Sequence, residues 1–433
     1  MNNKKWMAIL LGGIMAASLA APCSVSAAEK TTLTFWHAMG GTNGEVLQQI
    51  VDDFNASQDE IEIKAEYQGT YDDTITKLKA AMQSDSGLPD VCQMYDVGTK
   101  FMYDSGAVIP VEDKFESTGY DKSSVMEVIS SYYTVDGKQY AMPFNVSTPM
   151  LYYNKDVFEA AGLDPETPPT TYDEVLEDAK KIVESGAAPV GYSQAIYGWF
   201  FEQQLAGLGV TYGNNDNGRK EAVTAVDFDS NGGGLKVFDM WKKLYDSGYF
   251  EDYGTTTADT QTAFFSGQVG MIIESTAILK NAVDSSPFEV GTGYLPRIEQ
   301  NDEGGVIIGG GSLWLTDTGN EANEDAAWKF IEYITTPDVQ AKWSMGTGYF
   351  AINEKAYETE DMKAYLKENP NFETAINQLK DSPVNCNTAG VLSGVQTEAR
   401  LTFNEIMPQV YDGKLTTQDA VDQLAASVNK AIE

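Results

Sequence analysis

Histidine is almost absent from this chain, and its scarcity excludes several enzyme classes. The only histidine among the 433 residues is His37. Metal sites with two or three histidines, including HExxH metalloproteases, are therefore impossible within one chain. A Ser-His-Asp triad would have to use His37. A lone histidine at a predicted strand end is more typical of a packed or hydrogen-bonded residue.

Basic residues are also scarce. The chain has 29 Lys+Arg against 64 Asp+Glu, a formal charge of −35. Without residues 1–27, which include Lys4 and Lys5, 27 bases and 64 acids leave −37. Nucleic acids and anionic membrane surfaces attract dense basic patches, so neither is expected as a partner.

Cysteines and long apolar runs are few. Cys92 and Cys386 lack CxxC or metal-ligand spacing. They could pair in an oxidising compartment, but two cysteines so far apart in a large chain more often stay separate. No segment after the N-terminus has 18 uninterrupted apolar residues, so we expect a soluble mature protein.

The N-terminus predicts export. Residues 1–27 combine Lys4 and Lys5 with a short apolar stretch and end in the small residues Val25-Ser26-Ala27, which is typical of a signal peptide. An alternative is lipidation at Cys23, because residues 19–23 (LAAPC) resemble a bacterial lipobox. Proline stands there before the cysteine, where a smaller residue is expected.

The start of the mature chain predicts an α/β unit. Alternating segments at 32–37, 61–67 and 89–95 indicate strands, and helical periodicity at 44–56 and 71–84 lies between them. This βαβαβ order is typical of a parallel sheet, on which ligands bind beyond the carboxyl ends of the strands.

A second set of elements follows. Strands are predicted at 150–154, 269–274 and 312–316, and helices near 323–335 and 416–432. Thr171 and Glu174 fit a capping box at the start of another helix. Gly232–Gly234 is interpreted as a turn.

Motifs for nucleotides and metals are missing. Neither GxxxxGK[ST] nor a GxGxxG after a strand occurs. The acidic loops 214–218 and 229–234 lack the glutamate that closes a calcium loop. With 64 acids, carboxylate pairs suited to a glycosidase occur by chance, and the sequence selects none.

Aromatic and polar residues recur at predicted element ends. Sugar rings pack on aromatic faces, and their hydroxyl groups need hydrogen-bond partners once they are desolvated. Each of these aromatic residues could instead belong to the core. The set is Trp36, Tyr71, Tyr95, Tyr197, Trp199, Trp314 and Tyr349, beside Asp96, Ser147, Glu202, Ser275 and Gly310.

Several segments resemble the extracellular solute-binding proteins (family 1) of bacterial ABC importers, most closely their glycerol-phosphate-binding branch. They are TLTFWHAMGG (32–41), YDVGT (95–99), the 33-residue block at 143–175 (PFNVSTPMLYYNKDVFEAAGLDPETPPTTYDEV), IIGGGSLW (307–314) and TGYFAINEKAY (347–357).

The resemblance implies an α/β, two-lobe periplasmic-binding-protein fold (type II), with a ligand cleft between lobes joined by hinge strands. The implied N-lobe is 28–146 plus 275–322, and the implied C-lobe is 147–274 plus 323–433. Crossings are expected near Asn145–Ser147 and Ile273–Ser275.

Ligand-binding residues carry over from the family position by position. The family positions fall on Tyr71, Asp96, Ser147, Trp199, Ser275, Gly310 and Tyr349, and two further family positions make Tyr197 and Leu392 weaker candidates. Trp36 and Glu202, from the aromatic and polar set, are weaker candidates too. Asp96 replaces the family's glutamate, and Ile196, with Tyr197 beside it, replaces one tryptophan. Leu392 aligns with the arginine that holds phosphate.

An apolar Leu392 cannot pair with a dianion. We therefore expect an uncharged polyol or sugar in place of glycerol 3-phosphate, unless another cation such as Arg400 retains binding of a glycerol-phosphate derivative.

The expected partners are a small-molecule solute and the membrane subunits of an ABC permease with its cytoplasmic ATPase. We expect a monomer, no cofactor and no metal, in the periplasm or at the outer face of the cytoplasmic membrane. A secreted carbohydrate-active enzyme on an α/β scaffold is the alternative, which turnover of the solute would reveal.

Overall fold

A computed structural model of the chain describes residues 30–84 and 87–433. The predicted signal peptide 1–27 and the lipidation alternative at Cys23 lie outside these ranges. Among the described helices, none has the length and apolar character needed to cross a membrane.

Short strands and many helices make up the fold. The strands are β1 Thr31–His37, β2 Ile61–Tyr67, β3 Val91–Tyr95, β4 Val108–Ile109, β5 Thr134–Val135, β6 Lys138–Gln139, β7 Met142–Ser147, β8 Pro149–Asn154, β9 Val190–Ser193, β10 Val269–Ser275, β11 Val290–Gly293 and β12 Gly309–Thr316. The helices of the first half are α1 Gly41–Ser57, α2 Tyr71–Met82, α3 Thr99–Asp104, α4 Val111–Thr118, α5 Glu127–Ser130, α6 Lys155–Ala160, α7 Tyr172–Ser185, α8 Gly198–Gly207 and α9 Asn214–Gly218. Those of the second half are α10 Gly233–Asp246, α11 Thr257–Phe265, α12 Leu279–Ser285, α13 Glu321–Ile334, α14 Pro337–Thr347, α15 Glu360–Glu368, α16 Asn371–Asp381, α17 Gln396–Tyr411 and α18 Thr417–Ile432.

The first sheet has the order β2-β1-β3-β12-β4, and β7 also pairs with β12. β1 runs parallel to both β2 and β3, which confirms the predicted βαβαβ unit. Leu33 and Phe35 are fully buried, while the residues that alternate with them are not. The period of two in the sequence therefore marks the face that packs against the helices.

The second sheet has the order β11-β8-β10-β9. β7 ends at Ser147 and β8 begins at Pro149, so the chain passes from the first sheet to the second with only Thr148 between them. Thr148 is fully buried, and its carbonyl accepts a hydrogen bond from Thr276 N at 2.8 Å. Both predicted crossing regions thus lie side by side.

Two local predictions for the second set of elements, a capping box and a glycine turn, can be compared with the structure. Thr171 and Glu174 form the predicted capping box of α7. The turn interpretation of Gly232–Gly234 holds only for Gly232, which has a φ of 79°; Gly233 and Gly234 begin α10. Both are buried because α10 packs closely there, and a Cβ on Gly234 would meet the carbonyl of Phe228.

The lobe borders remain a proposal, which two sets of contacts refine. The resemblance implies that residues 275–322 belong to the N-lobe, but β11 pairs with β8 in the second sheet. It also implies that residues 323–433 belong to the C-lobe, but α13 packs on the first sheet. The Phe330 ring lies 5.6 Å from Phe35 and 5.2 Å from Phe54. We therefore propose that β11 belongs to the C-lobe and that α13 and α14, which packs on α1, belong to the N-lobe.

Isolated reactive groups are packed away. His37 is buried, its Nδ1 accepts a hydrogen bond from Met39 N, and burial lowers the pKa of its imidazole to about 4. The burial and the hydrogen bond confirm the interpretation of His37 as a packed residue. Cys92 and Cys386 are both free, as the wide spacing favoured. Within residues 30–84 and 87–433 no cluster of three potential metal ligands occurs.

Candidate functional site

A cavity of about 260 Å³ lies where the ends of the two sheets meet. It brings together all seven main candidates: Tyr71, Asp96, Ser147, Trp199, Ser275, Gly310 and Tyr349. Tyr197, from the weaker set, lines it too. These residues span 278 positions of sequence, so the lobes must meet for them to share one cavity.

Strand and helix ends place these side chains. Asp96 follows β3, Ser147 ends β7 and Ser275 ends β10. Tyr71 begins α2, directly after the Thr70 capping box. Each residue therefore lies at an element terminus, where ligand sites of open α/β sheets form.

A buried hydrogen-bond chain positions Tyr71. The Gln93 amide donates to Asn145 Oδ1 at 2.7 Å, and Asn145 Nδ2 donates to the Tyr71 hydroxyl at 2.7 Å. The Tyr71 ring also stacks on Tyr95, with centroids 5.1 Å apart and planes at 6°. Burial raises the pKa of the Tyr71 hydroxyl well above its usual value, so it remains protonated.

Backbone conformation shapes the wall at Gly310. Its φ is 91°, and a Cβ there would clash with the carbonyl oxygen of Asn145. Only glycine combines this left-handed conformation with such close approach. The neighbouring Gly309 leaves room for the edge of the Trp199 ring, which a Cβ would meet at 2.7 Å.

Two aromatic surfaces flank the cavity. The Tyr349 ring stacks on Trp343, with centroids 5.7 Å apart and planes at 7°. Trp199 and Tyr197 have centroids 6.1 Å apart. Trp199 is 5% exposed, and its indole Nε1 has no hydrogen-bond partner in the described part of the chain. A buried N–H without an acceptor is a free donor for a ligand oxygen.

Arg400 supplies the cation of the cavity. Its Nε and Nη2 donate to the two oxygens of Glu202, each at 2.7 Å, and Nη2 also donates to Asp96 Oδ2 at 2.8 Å. Burial opposes the charge, but the two carboxylates raise the pKa of the guanidinium well above its usual value. Nη1 is left without a partner among the described residues.

The charged cluster connects the end of β3 with α8 and α17. Asp96 belongs to the first sheet's unit, whereas Arg400 and Glu202 lie on α17 and α8, which contact each other. Glu202 is not among the residues that line the cavity, and it also accepts a hydrogen bond from Gln396 Nε2 at 2.6 Å. A second bridge joins the Tyr95 and Thr397 hydroxyls at 3.2 Å.

Glu274 is a third carboxylate of the cavity. It is 4% exposed, and it accepts hydrogen bonds from Ser275 N at 2.6 Å and from Gln261 Nε2 at 2.9 Å. Burial raises the pKa of its carboxyl group from 4.5 to about 7. None of the ion pairs within the described ranges includes Glu274.

Two of the weaker candidates lie elsewhere. Trp36 is half-buried, and its Nε1 donates to Glu66 at 2.9 Å across β1 and β2. Leu392 is buried outside the cavity, where its N donates to the carbonyl of Asn217 at 2.8 Å. Trp314 is fully buried within β12. Trp36, Leu392 and Trp314 do not line the cavity. Each has a structural role in place of the predicted contact with a ligand.

Sequence reasoning missed Glu274 and Gln261, and named Arg400 only as an alternative cation. Arg400 is one of three arginines in the chain, which is a signal that could have raised its rank. Glu274 precedes the predicted Ser275 at the end of an apolar strand, and a carboxylate in that position is the corresponding signal for burial.

Known proteins match this chain over most of its length. A sequence profile described as bacterial extracellular solute-binding protein matches residues 49–374. The sn-glycerol-3-phosphate-binding periplasmic protein UgpB of Escherichia coli K12 is 31% identical over 409 residues, 93% of this chain and 92% of that protein. UgpB of Brucella abortus strain 2308 is 32% identical over 430 residues, 98% of each chain.

Solved structures share the fold. The cyclic α-maltosyl-1,6-maltose binding protein of Arthrobacter globiformis has a TM-score of 0.78 at 25% identity, covering 93% of this chain and 99% of that one. UgpB of Mycobacterium tuberculosis, in complex with glycerophosphocholine, has a TM-score of 0.78 at 20% identity, covering 93% and 98%. These similarities confirm the two-lobe substrate-binding-protein fold.

Proposed function

The chain belongs to the bacterial extracellular solute-binding proteins, and from that membership we propose which solute its cleft binds. It is the substrate-binding component of an ABC importer, which captures a solute outside the cell membrane and delivers it to the permease. Its family comprises transport proteins, which confirms the binding-protein interpretation over the secreted enzyme.

The proposed solute is a sugar or polyol without a dianionic phosphate group. The observation that supports it most is the charge of the cavity. Its one cation, Arg400, is already paired with Asp96 and Glu202, and Glu274 adds a third carboxyl group. A desolvated dianion would face a penalty of several kcal/mol there.

The size of the cavity favours a small solute. The volume of about 260 Å³ lies below the range of roughly 300–1,000 Å³ that is usual for drug-sized ligands. A single sugar ring or a glycerol derivative fits this limit better than an oligosaccharide. The aromatic faces of Trp199 and Tyr349 match the C–H faces of such a solute.

A glycerophosphodiester is the second candidate. The free Nη1 of Arg400 and the free indole N–H of Trp199 could both donate to the oxygens of a monoanionic diester. The relatives named for glycerol 3-phosphate, and the solved complex with glycerophosphocholine, favour keeping this candidate.

We further propose the setting in which the protein works. It acts as a monomer, in the periplasm or at the outer face of the cytoplasmic membrane, with lipidation at Cys23 as the route to membrane attachment. Its permease is driven by a cytoplasmic ATPase. The lobes close on the solute because one lobe alone contacts only part of a polar molecule.

Calorimetry with a panel of solutes tests the proposal. The panel contains glycerol 3-phosphate, its diesters and neutral mono- and disaccharides. We expect one-to-one binding of a neutral solute or a diester, and a smaller radius of gyration in small-angle scattering at saturation. Tight binding of glycerol 3-phosphate alone would contradict the proposed solute class. An unchanged radius at saturation would contradict closure.

A further inference from the structure

Arg219 is a half-buried cation that makes no ion pair within the described ranges, although acids outnumber bases in this chain. Its guanidinium donates instead to three backbone carbonyls. Nε donates to Gly390 at 2.9 Å, Nη1 to Tyr132 at 2.7 Å, and Nη2 to Ala389. Desolvation lowers the pKa of the guanidinium to about 10, so it stays charged at neutral pH. The fixed fork of the guanidinium thus joins two distant backbone segments.

The two segments belong to different hydrophobic cores. Tyr132 lies in the core that contains Leu33 of the first sheet, the first core. Tyr212 and Val391 lie on the segments that carry Arg219 and its other two carbonyls. Both belong to the second core, with Leu151 of the second sheet. Arg219 therefore makes two hydrogen bonds on its own side and one to the other side.

The side chain of Tyr132 adds a second contact across this boundary. The Cζ atom of Arg219 lies 5.0 Å from the centroid of the Tyr132 ring, which is within the range of a cation–π interaction. Burial raises the pKa of the Tyr132 hydroxyl; the charge of Asp96 adds to this shift, and Arg219 and Arg400 oppose it. Tyr132 therefore lies near both Arg219 and the ion pair of the solute cavity. None of the three residues that Arg219 bonds lines that cavity.

The turn before Arg219 has an unfavourable backbone conformation. Asn215–Asn217 have φ values between 56° and 59° in succession, a left-handed run that residues other than glycine avoid. Gly218 follows at a φ of 74°, where a Cβ would lie 2.6 Å from the carbonyl oxygen of Leu392. Strain of this kind persists only where the surroundings fix it, and such positions cluster at functional sites.

Asn217 fixes this turn. Its Oδ1 accepts hydrogen bonds from two backbone N–H groups, of Tyr212 at 2.7 Å and of Gly213 at 2.9 Å. Its Nδ2 donates to the carbonyl of Cys386 at 2.9 Å, on the segment whose carbonyls Arg219 also bonds. The turn is therefore a rigid support that presents the guanidinium to the first core.

The contact between Arg219 and Tyr132 lies beside a gap. A cavity of about 870 Å³ has Arg219 in its wall, with Met126 on the side of the first core and Lys220 on the other side. Separation of the two sides would break the contacts with Tyr132. It would keep the bonds of Arg219 to the two carbonyls of its own side, as a latch requires.

We propose that Arg219 is a latch of the closed form, which holds Tyr132 across the gap between the lobes and sets the affinity for the solute without touching it. This inference rests on the closure that is part of the proposed function, and it does not depend on the chemistry of the solute. A solute leaves the cleft when the lobes separate, so a weaker latch should act mainly on the dissociation rate.

Two substitutions of Arg219 test the latch. The probes are glucose and glycerophosphocholine, with calorimetry for affinity and stopped-flow tryptophan fluorescence for the rates. Arg219→Gln should weaken the probe that binds by about 5-fold or more. Its dissociation rate should rise by a similar factor, and its association rate should stay within about 2-fold of the wild type. Arg219→Lys keeps the charge but not the fork, so it should lie between the two. An unchanged dissociation rate in Arg219→Gln would overturn the latch.

Lys220→Gln is the matched control. Lys220 is the next residue, it is exposed and lines the same gap, and its side chain makes neither a hydrogen bond nor an ion pair among the described residues. Its substitution removes the same charge and should leave both rates unchanged. If it accelerates dissociation as much as Arg219→Gln does, net charge is the cause and the latch is wrong.

A merely structural role of Arg219 predicts a different result. Loss of the bonds to Ala389 and Gly390 alone would lower the free energy of unfolding in urea and leave the dissociation rate unchanged. Tyr132→Leu removes the ring from the same contact, so its effect on affinity should not add to that of Arg219→Gln. Fully additive effects would contradict the pairing. Circular dichroism checks the fold; if Tyr132→Leu is unfolded, the two Arg219 variants decide.

Small-angle scattering separates the latch from the proposed function. If a probe binds and Arg219→Gln releases it at the wild-type rate, the latch fails and the proposed function stands. If neither probe binds, the proposed solute class fails, and the solute-free radius of gyration tests the latch. Arg219→Gln should then have a larger radius than the wild type and Lys220→Gln an equal one. Equal radii for all three proteins would overturn the latch.

Discussion

Replacing Glu274 with glutamine should stabilise the solute-free protein, and increasingly so as the pH rises. The pKa of this carboxyl group is raised from 4.5 to about 7 by burial. The native protein therefore holds a proton that the unfolded chain has released, and native stability is lost as the pH rises from about 4.5 through about 7.

The magnitude follows from the size of that change. Each unit of pKa difference between the folded and unfolded states corresponds to about 1.4 kcal/mol. The whole effect on the free energy of unfolding is therefore roughly 3 kcal/mol, most of it between pH 5 and pH 8. Glutamine cannot titrate. The free energy of unfolding of the variant minus that of the wild type should therefore increase by more than 2 kcal/mol, on the order of that total, across the same interval.

Urea unfolding at pH 5, 6, 7 and 8 measures this difference directly, without solute. Other titrating groups contribute equally to both proteins, so they cancel in the subtraction. Glu398→Gln, on the exposed side of α17, should give a difference that does not vary with pH. A flat profile for Glu274→Gln would refute the reasoning, because it would mean that the carboxylate is solvated or paired in the native state.

Four further substitutions test the cavity and the fold. Trp199→Ala should weaken solute binding by about 1–3 kcal/mol in calorimetry, because its ring is proposed to contact the solute as a buried anchor. An unchanged affinity would mean that Trp199 is a core residue without contact to the solute. Gly106→Ala, at a φ of 63° with open space around it, should cost about 1–2 kcal/mol in urea unfolding. Gly310→Ala should cost about 1–3 kcal/mol more, because its Cβ would also clash with the Asn145 carbonyl; equal costs would contradict the close approach. Thr171→Ala removes the α7 cap and should lower the unfolding free energy by about 0.5–2 kcal/mol, and no loss would show that the capping box is not needed.

Local patterns were sufficient for most individual elements. The strand predicted at 61–67 is β2, Ile61–Tyr67, and the strand at 32–37 extends by one residue to Thr31. The predicted helix at 71–84 ends two residues earlier, at Met82. These elements follow from alternation, helical periodicity and caps, which are properties of neighbouring residues.

Partnerships between distant elements were harder to predict. An amphipathic pattern shows which face of α13 is buried but not which sheet covers it. Phe330 packs on Phe35 and Phe54, so α13 joins the first sheet. The lobe borders implied by the resemblance assign this helix to the C-lobe.

The sequence by itself determined the class of this protein, through its family motifs and the element ends that carry Tyr71, Asp96 and Ser147. Only the tertiary structure decided the charges of the cleft. Asp96 and Arg400 lie 304 residues apart in the chain but 2.8 Å apart in space, and their pairing leaves Glu274 without a counter-charge. The reason is physical: local periodicity sets an element and its buried face, whereas burial, charge pairing and pKa depend on which distant side chains share the space.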